Sequence, residues 1–109
     1  MPLVRICGTD EVPEGEARRF EVDHRPIAVV NLGPDGFRAV DAICSHAHYF
    51  LDEGEVDADF GTVECPKHGS TFDLDTGRAT TLPATQPVDV FDVKVEGNDV
   101  YIDYEVTDG

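Results

Sequence analysis

Short apolar-rich stretches of strand length recur along this chain, with polar turn residues between them. Leu3 to Cys7 is the first, followed by Ala17 to Val22 and Pro26 to Leu32. Gly33-Pro-Asp-Gly36 holds two glycines and a proline, so it predicts a reversal into Phe37 to Ile43. Thr71 to Leu74 precedes a turn at Asp75-Thr-Gly77. Val88, Val90, Val93 and Val95 alternate with polar residues, but the alternation slips near Phe91 and Asp92. One strand with a bulge is expected there. Gly97-Asn98 is a two-residue hairpin turn leading into Val100 to Tyr104, where Val100, Ile102 and Tyr104 share a face. Residues 44 to 70 break the pattern. They are turn-rich and acidic and carry three of the four histidines. They read as a small subdomain, about 44–70, inserted into a base formed by 1–43 and 71–109.

At 109 residues the chain is long enough for one modest core, so a single domain over 1–109 is expected. Seven prolines and ten glycines among short segments predict an all-β protein. The longest apolar run, Ile27-Ala-Val-Val30, is too short to cross a membrane, and the first residues carry no charged-then-apolar leader. A cytoplasmic location is expected. Three cysteines do not make a disulfide framework, and Cys7, within an apolar run, reads as a buried strand residue. The net charge is −15, from 23 acids against 8 bases. It opposes binding to nucleic acid or to anionic membranes. It suits docking on a basic patch of a protein partner and serves solubility equally well.

The chemistry is concentrated in Cys44-Ser-His46 and Cys65-Pro-Lys-His68. Each arm supplies a soft thiolate and a borderline imidazole, a set that suits tetrahedral zinc or two irons bridged by sulfide. Zinc fingers usually present their cysteines together and their histidines together, whereas each arm here mixes the two. The mixed arms let both cysteines hold one iron and both histidines the other. Such a centre is about neutral when oxidised, and four thiolates would leave it dianionic, so an electron enters it more easily. The potential rises from about −400 mV to about −150 mV or above.

These two arms, with Pro66, Gly69, Ser70, the Phe72-Asp73 strand and the turn at Gly77, resemble the Rieske iron–sulfur family over nearly the whole chain. The resemblance implies the Rieske fold, an antiparallel β-sandwich base with the inserted cluster-binding subdomain. It implies one [2Fe-2S] cluster with Cys44 and Cys65 on the inner iron and His46 and His68 on the outer. High-potential members carry a disulfide between the arms and a tyrosine that hydrogen-bonds a ligand sulfur. Tyr49, Lys67 and Phe72 stand at those positions here, so both devices are missing. Asp52, Glu53, Glu55, Asp73 and Asp75 flank the arms. One carboxylate about 10 Å away at an effective dielectric of about 20 is worth roughly 70 mV. A low potential is therefore expected. His24 reads as solvated, His48 as a surface residue or a neighbour behind the ligands, Pro66 and Gly69 as shapers of the ligand loop, and Tyr49 and Phe50 as packing.

A small chain with only this cluster resembles the ferredoxin components of ring-hydroxylating dioxygenase systems. The implied role is a monomeric electron carrier, not itself an enzyme, passing electrons from a flavin-dependent ferredoxin reductase to a terminal oxygenase. An accessory ferredoxin of iron–sulfur cluster assembly, a small subunit of a larger reductase and a structural zinc domain are the alternatives.

Overall fold

The apolar run Ile27-Ala-Val-Val30 sits at the centre of the architecture. All four side chains are fully buried, although successive strand residues face opposite ways. A strand buried on both faces needs a layer on each side, and the computed structural model provides both. It describes residues 3–44, 49–66, 69–80 and 86–104.

Among the described residues, ten strands run in the order β1 (Leu3–Gly8), β2 (Ala17–Val22), β3 (Arg25–Asn31), β4 (Phe37–Asp41), β5 (Val56–Asp57), β6 (Thr62–Glu64), β7 (Thr71–Asp73), β8 (Val90–Phe91), β9 (Val93–Glu96) and β10 (Asp99–Asp103). They form three antiparallel sheets, β1-β10-β9, β2-β3-β4-β8 and β5-β6-β7. No α-helix occurs among the described residues, and no helix is long and apolar enough to cross a membrane.

The β2-β3-β4-β8 sheet is the middle layer. One of its faces gives Ile27, Val29 and Ala39 to a core shared with Ile6, Cys7, Val100 and Ile102 of the β1-β10-β9 sheet. The other gives Ala28, Val30 and Val40 to a core shared with Val63 and Phe72 of the β5-β6-β7 sheet. The alternation along β3 thus distributes its side chains between two cores. The first two sheets pack face to face as an antiparallel β-sandwich, as the fold class requires. Val100, Ile102 and Tyr104 turn a common buried face inward, as the alternation requires.

Two expectations change. Val88 to Val95 is not one bulged strand, because β8 pairs with β4 while β9 pairs with β10. The slip at Asp92 is where the chain leaves one sheet for another. The segment between the arms also contains paired strand, β5 and β6, with Val56 opposite Val63 and Asp57 opposite Thr62. Both are too short and polar to show as a period of two. The Asp23-His24 link between β2 and β3 has positive φ at both residues, 53° and 68°, and joins Val22 directly opposite Arg25. That is a two-residue hairpin of the mirror-image turn type.

Candidate metal centre

Each cysteine of the motif opens a hairpin loop, and the two hairpins are built alike. In the first, Leu51 N–H donates to Ala42 O (2.7 Å), Ile43 bridges Phe50, and Cys44 N–H donates to Tyr49 O (2.9 Å). In the second, Glu64 pairs with Thr71 and Cys65 N–H donates to Ser70 O (2.6 Å). In both, a cysteine N–H reaches the carbonyl five residues on and closes a loop of four residues. The loops carry His46 and His68. Gly69, at φ 73°, adopts the left-handed conformation expected of a ligand-loop glycine and donates to Cys65 O (3.2 Å).

Both thiols are buried, Cys44 at 3% and Cys65 at 0% exposure, and neither is in a disulfide. They belong to one apolar cluster with Leu51, Val63, Phe72 and Leu74. Two buried cysteines at the bases of these twin hairpins, in one apolar cluster, suit a group that takes two thiolates, with His46 and His68 of the same two arms as its remaining donors. The donor set therefore fits a [2Fe-2S] centre. His46, His48, Lys67 and His68 lie outside the described residues. No three His, Cys, Asp or Glu side chains converge as a metal site among the described residues.

Cys7 is a buried strand residue, as its setting in the sequence implies, and lies in the other core, across the middle sheet from Cys44 and Cys65. Burial, aided by the nearby Glu11, pushes its thiol up to about 11, so it is protonated at neutral pH.

The arms are keyed to each other by Gly54. The 3-10 turn Leu51–Glu53 follows the first arm, and Gly54 N–H donates to Leu51 O (3.1 Å). A Cβ on Gly54 would overlap the carbonyl oxygen of Glu64, the residue before Cys65. The sequence gives no sign of this, because the φ of Gly54, −90°, is ordinary and its partner is ten residues away.

Arg19 is the second feature absent from the motif. Its guanidinium stacks 3.6 Å from the Phe50 ring centroid and faces Asp52 (3.9 Å) and Glu53 (3.6 Å). It ties β2 of the base to the exit of the first arm. Among the described residues, Asp52 Oδ1 is buried without a hydrogen bond, 3.9 Å to Arg19 being too long for one. Burial raises the Asp52 carboxyl above the usual range despite the opposing pull of Arg19.

The acids flanking the arms do not form one uniform field. Asp52 and Glu53 face Arg19, and Asp75 is paired with Arg38 (2.6 Å). Asp73 accepts the N–H groups of Asp75 (2.8 Å) and Thr76 (3.1 Å) and so closes the turn before Gly77. Phe50 packs against the core, and Tyr49 is 40% exposed. His24 is exposed in its turn, as expected.

A family model described as the Rieske [2Fe-2S] domain matches residues 3–92. The chain is 44% identical to the 3-phenylpropionate/cinnamic acid dioxygenase ferredoxin subunit of Escherichia coli (strain K12), over 94% of each protein. It is 43% identical to the ferredoxin component of biphenyl 2,3-dioxygenase of Rhodococcus jostii (strain RHA1), over 96% of this chain and 95% of that one. Among solved structures, a complex of reduced oxygenase and oxidized ferredoxin in carbazole 1,9a-dioxygenase contains a chain that superposes with a TM-score of 0.81. That chain is 35% identical, with coverage of 92% of this chain and 91% of that one.

Proposed function

This chain belongs to the Rieske [2Fe-2S] domain family, and from that premise we propose which residues hold its cluster and which partners it meets. It is the ferredoxin component of a ring-hydroxylating dioxygenase system, an electron carrier and not the catalytic subunit. Its cofactor is a Rieske-type [2Fe-2S] cluster. That cluster, when bound, accepts and releases a single electron.

Cys44 and Cys65 hold the inner iron, and His46 and His68 the outer one. The observation that carries this assignment is the pair of like-built hairpins, each with a buried, unbridged cysteine at its base. Their apolar surroundings exclude water from the thiolates. The subdomain of about 44–70 on a base of 1–43 and 71–109 forms one functional unit, a division favoured by the separate core beneath the arms.

A terminal oxygenase is the electron acceptor. A flavin-dependent ferredoxin reductase supplies the electrons, the chain acts as a monomer in the cytoplasm, and basic patches on both partners receive its acidic surface. The cluster is of low potential, since neither an inter-arm disulfide nor a tyrosine at the Phe72 position is present.

Visible absorption, EPR of the reduced protein and stopped-flow oxidation by the terminal oxygenases of the 3-phenylpropionate and biphenyl systems test these readings. We expect two irons per chain, a rhombic EPR signal, a midpoint below zero and transfer to an oxygenase. Replacement of Cys44 or Cys65 by Ser should abolish the colour. A colourless wild-type protein holding one zinc would overturn the cluster reading. A coloured protein that reduces no oxygenase would overturn the partner.

A further inference from the structure

Glu64 immediately precedes Cys65, and its backbone is held on both sides. Its N–H donates to Glu55 O (2.8 Å), it pairs with Thr71 across the second hairpin, and its carbonyl lies where a Cβ on Gly54 would stand. Its chain neighbours Val63 and Cys65 are fully buried. The alternation therefore turns the Glu64 side chain to the opposite face, where the residue is half-buried.

From that fixed base the carboxylate reaches the second ligand loop. Its Oε1 lies 3.2 Å from the point a Cβ on Gly69 would occupy. Gly69 follows His68 in the chain, takes φ 73° and donates to Cys65 O (3.2 Å). The carboxylate thus lies against the loop that carries both proposed ligands of this arm. It also lacks a countercharge. Asp52 and Glu53 face Arg19, Asp75 is paired with Arg38, and Asp73 accepts two N–H groups of its own turn. No arginine or lysine pairs with Glu64 among the described residues. Glu55 is exposed, so water screens it more fully. A charge acts on a nearby redox centre to the extent that neither a counter-ion nor water cancels it. Of the acids around the arms, Glu64 escapes both most completely.

We propose that Glu64 is the carboxylate that lowers the reduction potential of the bound cluster, its uncompensated charge beside the second ligand loop opposing the added electron. The inference rests on the ligand assignment above and deepens it. It is distinct from a general effect of the net charge, because one side chain carries it. A carrier whose reduced form is disfavoured in this way is a stronger electron donor to its acceptor.

Spectroelectrochemical titration of the iron-loaded protein tests this. Glu64→Gln keeps the shape and removes the charge. It should favour reduction about tenfold, a rise in midpoint of about 59 mV for one electron. Glu64→Lys changes the charge by two and should favour reduction about a hundredfold. Glu64→Asp keeps the charge and shortens the side chain, so its midpoint should stay nearer the wild type than that of Glu64→Gln. Asp59→Asn removes a charge from the turn between β5 and β6, at the other end of β6 from Cys65, and should shift the equilibrium less than about twofold. Iron content and visible spectrum show that each variant is loaded. A loaded Glu64→Gln or Glu64→Lys within about twofold of the wild-type equilibrium overturns the proposal. So does an equal rise in Asp59→Asn, which would make the effect one of net charge, or in Glu64→Asp, which would make it one of shape. A wild-type protein that binds no iron instead removes the ligand assignment, and this proposal with it.

Discussion

Gly54 has a backbone conformation open to any residue, φ −90° and ψ −174°, yet a side chain there would strike the Glu64 carbonyl. The opposing atom is backbone, so the contact is relieved only by moving the strand that leads into Cys65. We predict that Gly54→Ala loses about 1–3 kcal/mol of stability and most of its iron, measured by thermal melting and by iron per chain. Full loading at the wild-type melting temperature would refute this. Asp52 gives a prediction of opposite sign. Its folded-state carboxyl titrates above the usual range because it is buried. The stability gained from its neutral form is fully present below the unfolded value and is lost as pH rises through the raised one. Asp52→Asn keeps the side chain neutral at every pH. It should therefore melt higher than the wild type at pH 7, and the difference should shrink toward pH 3. A gap that widens on acidification would count against this account. Cys44 and Cys65, the proposed ligands, stand out in the sequence because metal ligation admits few residue types at few spacings, and the structure buries both in one cluster. Gly54 and Arg19 do not, because their reasons, Glu64 and Phe50, are remote in sequence.

Strand positions were legible wherever side chains alternate against a single core. Their sheet partners were not. Nothing in Val88 to Val95 says that its two halves pair with β4 and β10, since alternation reports the face a residue shows and not the neighbour it meets. The strands β5 and β6 were hidden for a different reason. They span two and three residues, each with a single apolar side chain, Val56 and Val63, among acidic and hydroxyl ones, which is too little to show a period of two. The β2–β3 hairpin illustrates a suboptimal local choice. Its two link residues, Asp23 and His24, both occupy positive φ, where Asn-Gly is the favoured pair. Replacing them with Asn-Gly should raise stability by about 1 kcal/mol, or about 4–8 °C. Thermal melting with an unchanged visible spectrum checks it. An unchanged or lower melting temperature would mean that His24 makes a compensating contact.

Across the whole molecule, the middle sheet separates two cores with different dependencies. The core between the β2-β3-β4-β8 and β1-β10-β9 sheets is formed by strands and apolar side chains, including Ile27, Val29, Val100 and Ile102. The core on the other face contains Cys44 and Cys65 and is covered by a sheet whose strands have two or three residues each. Strands this short supply few ladder hydrogen bonds, so a cluster held between the arms, as proposed above, would stabilise that side. Removal of the metal should therefore act unequally. In hydrogen exchange of the apo protein, amides of β3 and β10 should keep most of their protection. Those of β6, β7 and residues 49–51 should exchange at least about tenfold faster than in the loaded protein. The alternating burial of Ile27 to Val30 ties both cores to one strand, which sets the limit of this separation. If β3 and β10 lose protection together with β6 and β7, the molecule is a single cooperative unit and its metal-dependent half cannot open alone. If neither region changes, the twin hairpins are held by their own hydrogen bonds, and the metal binds a site that is already formed.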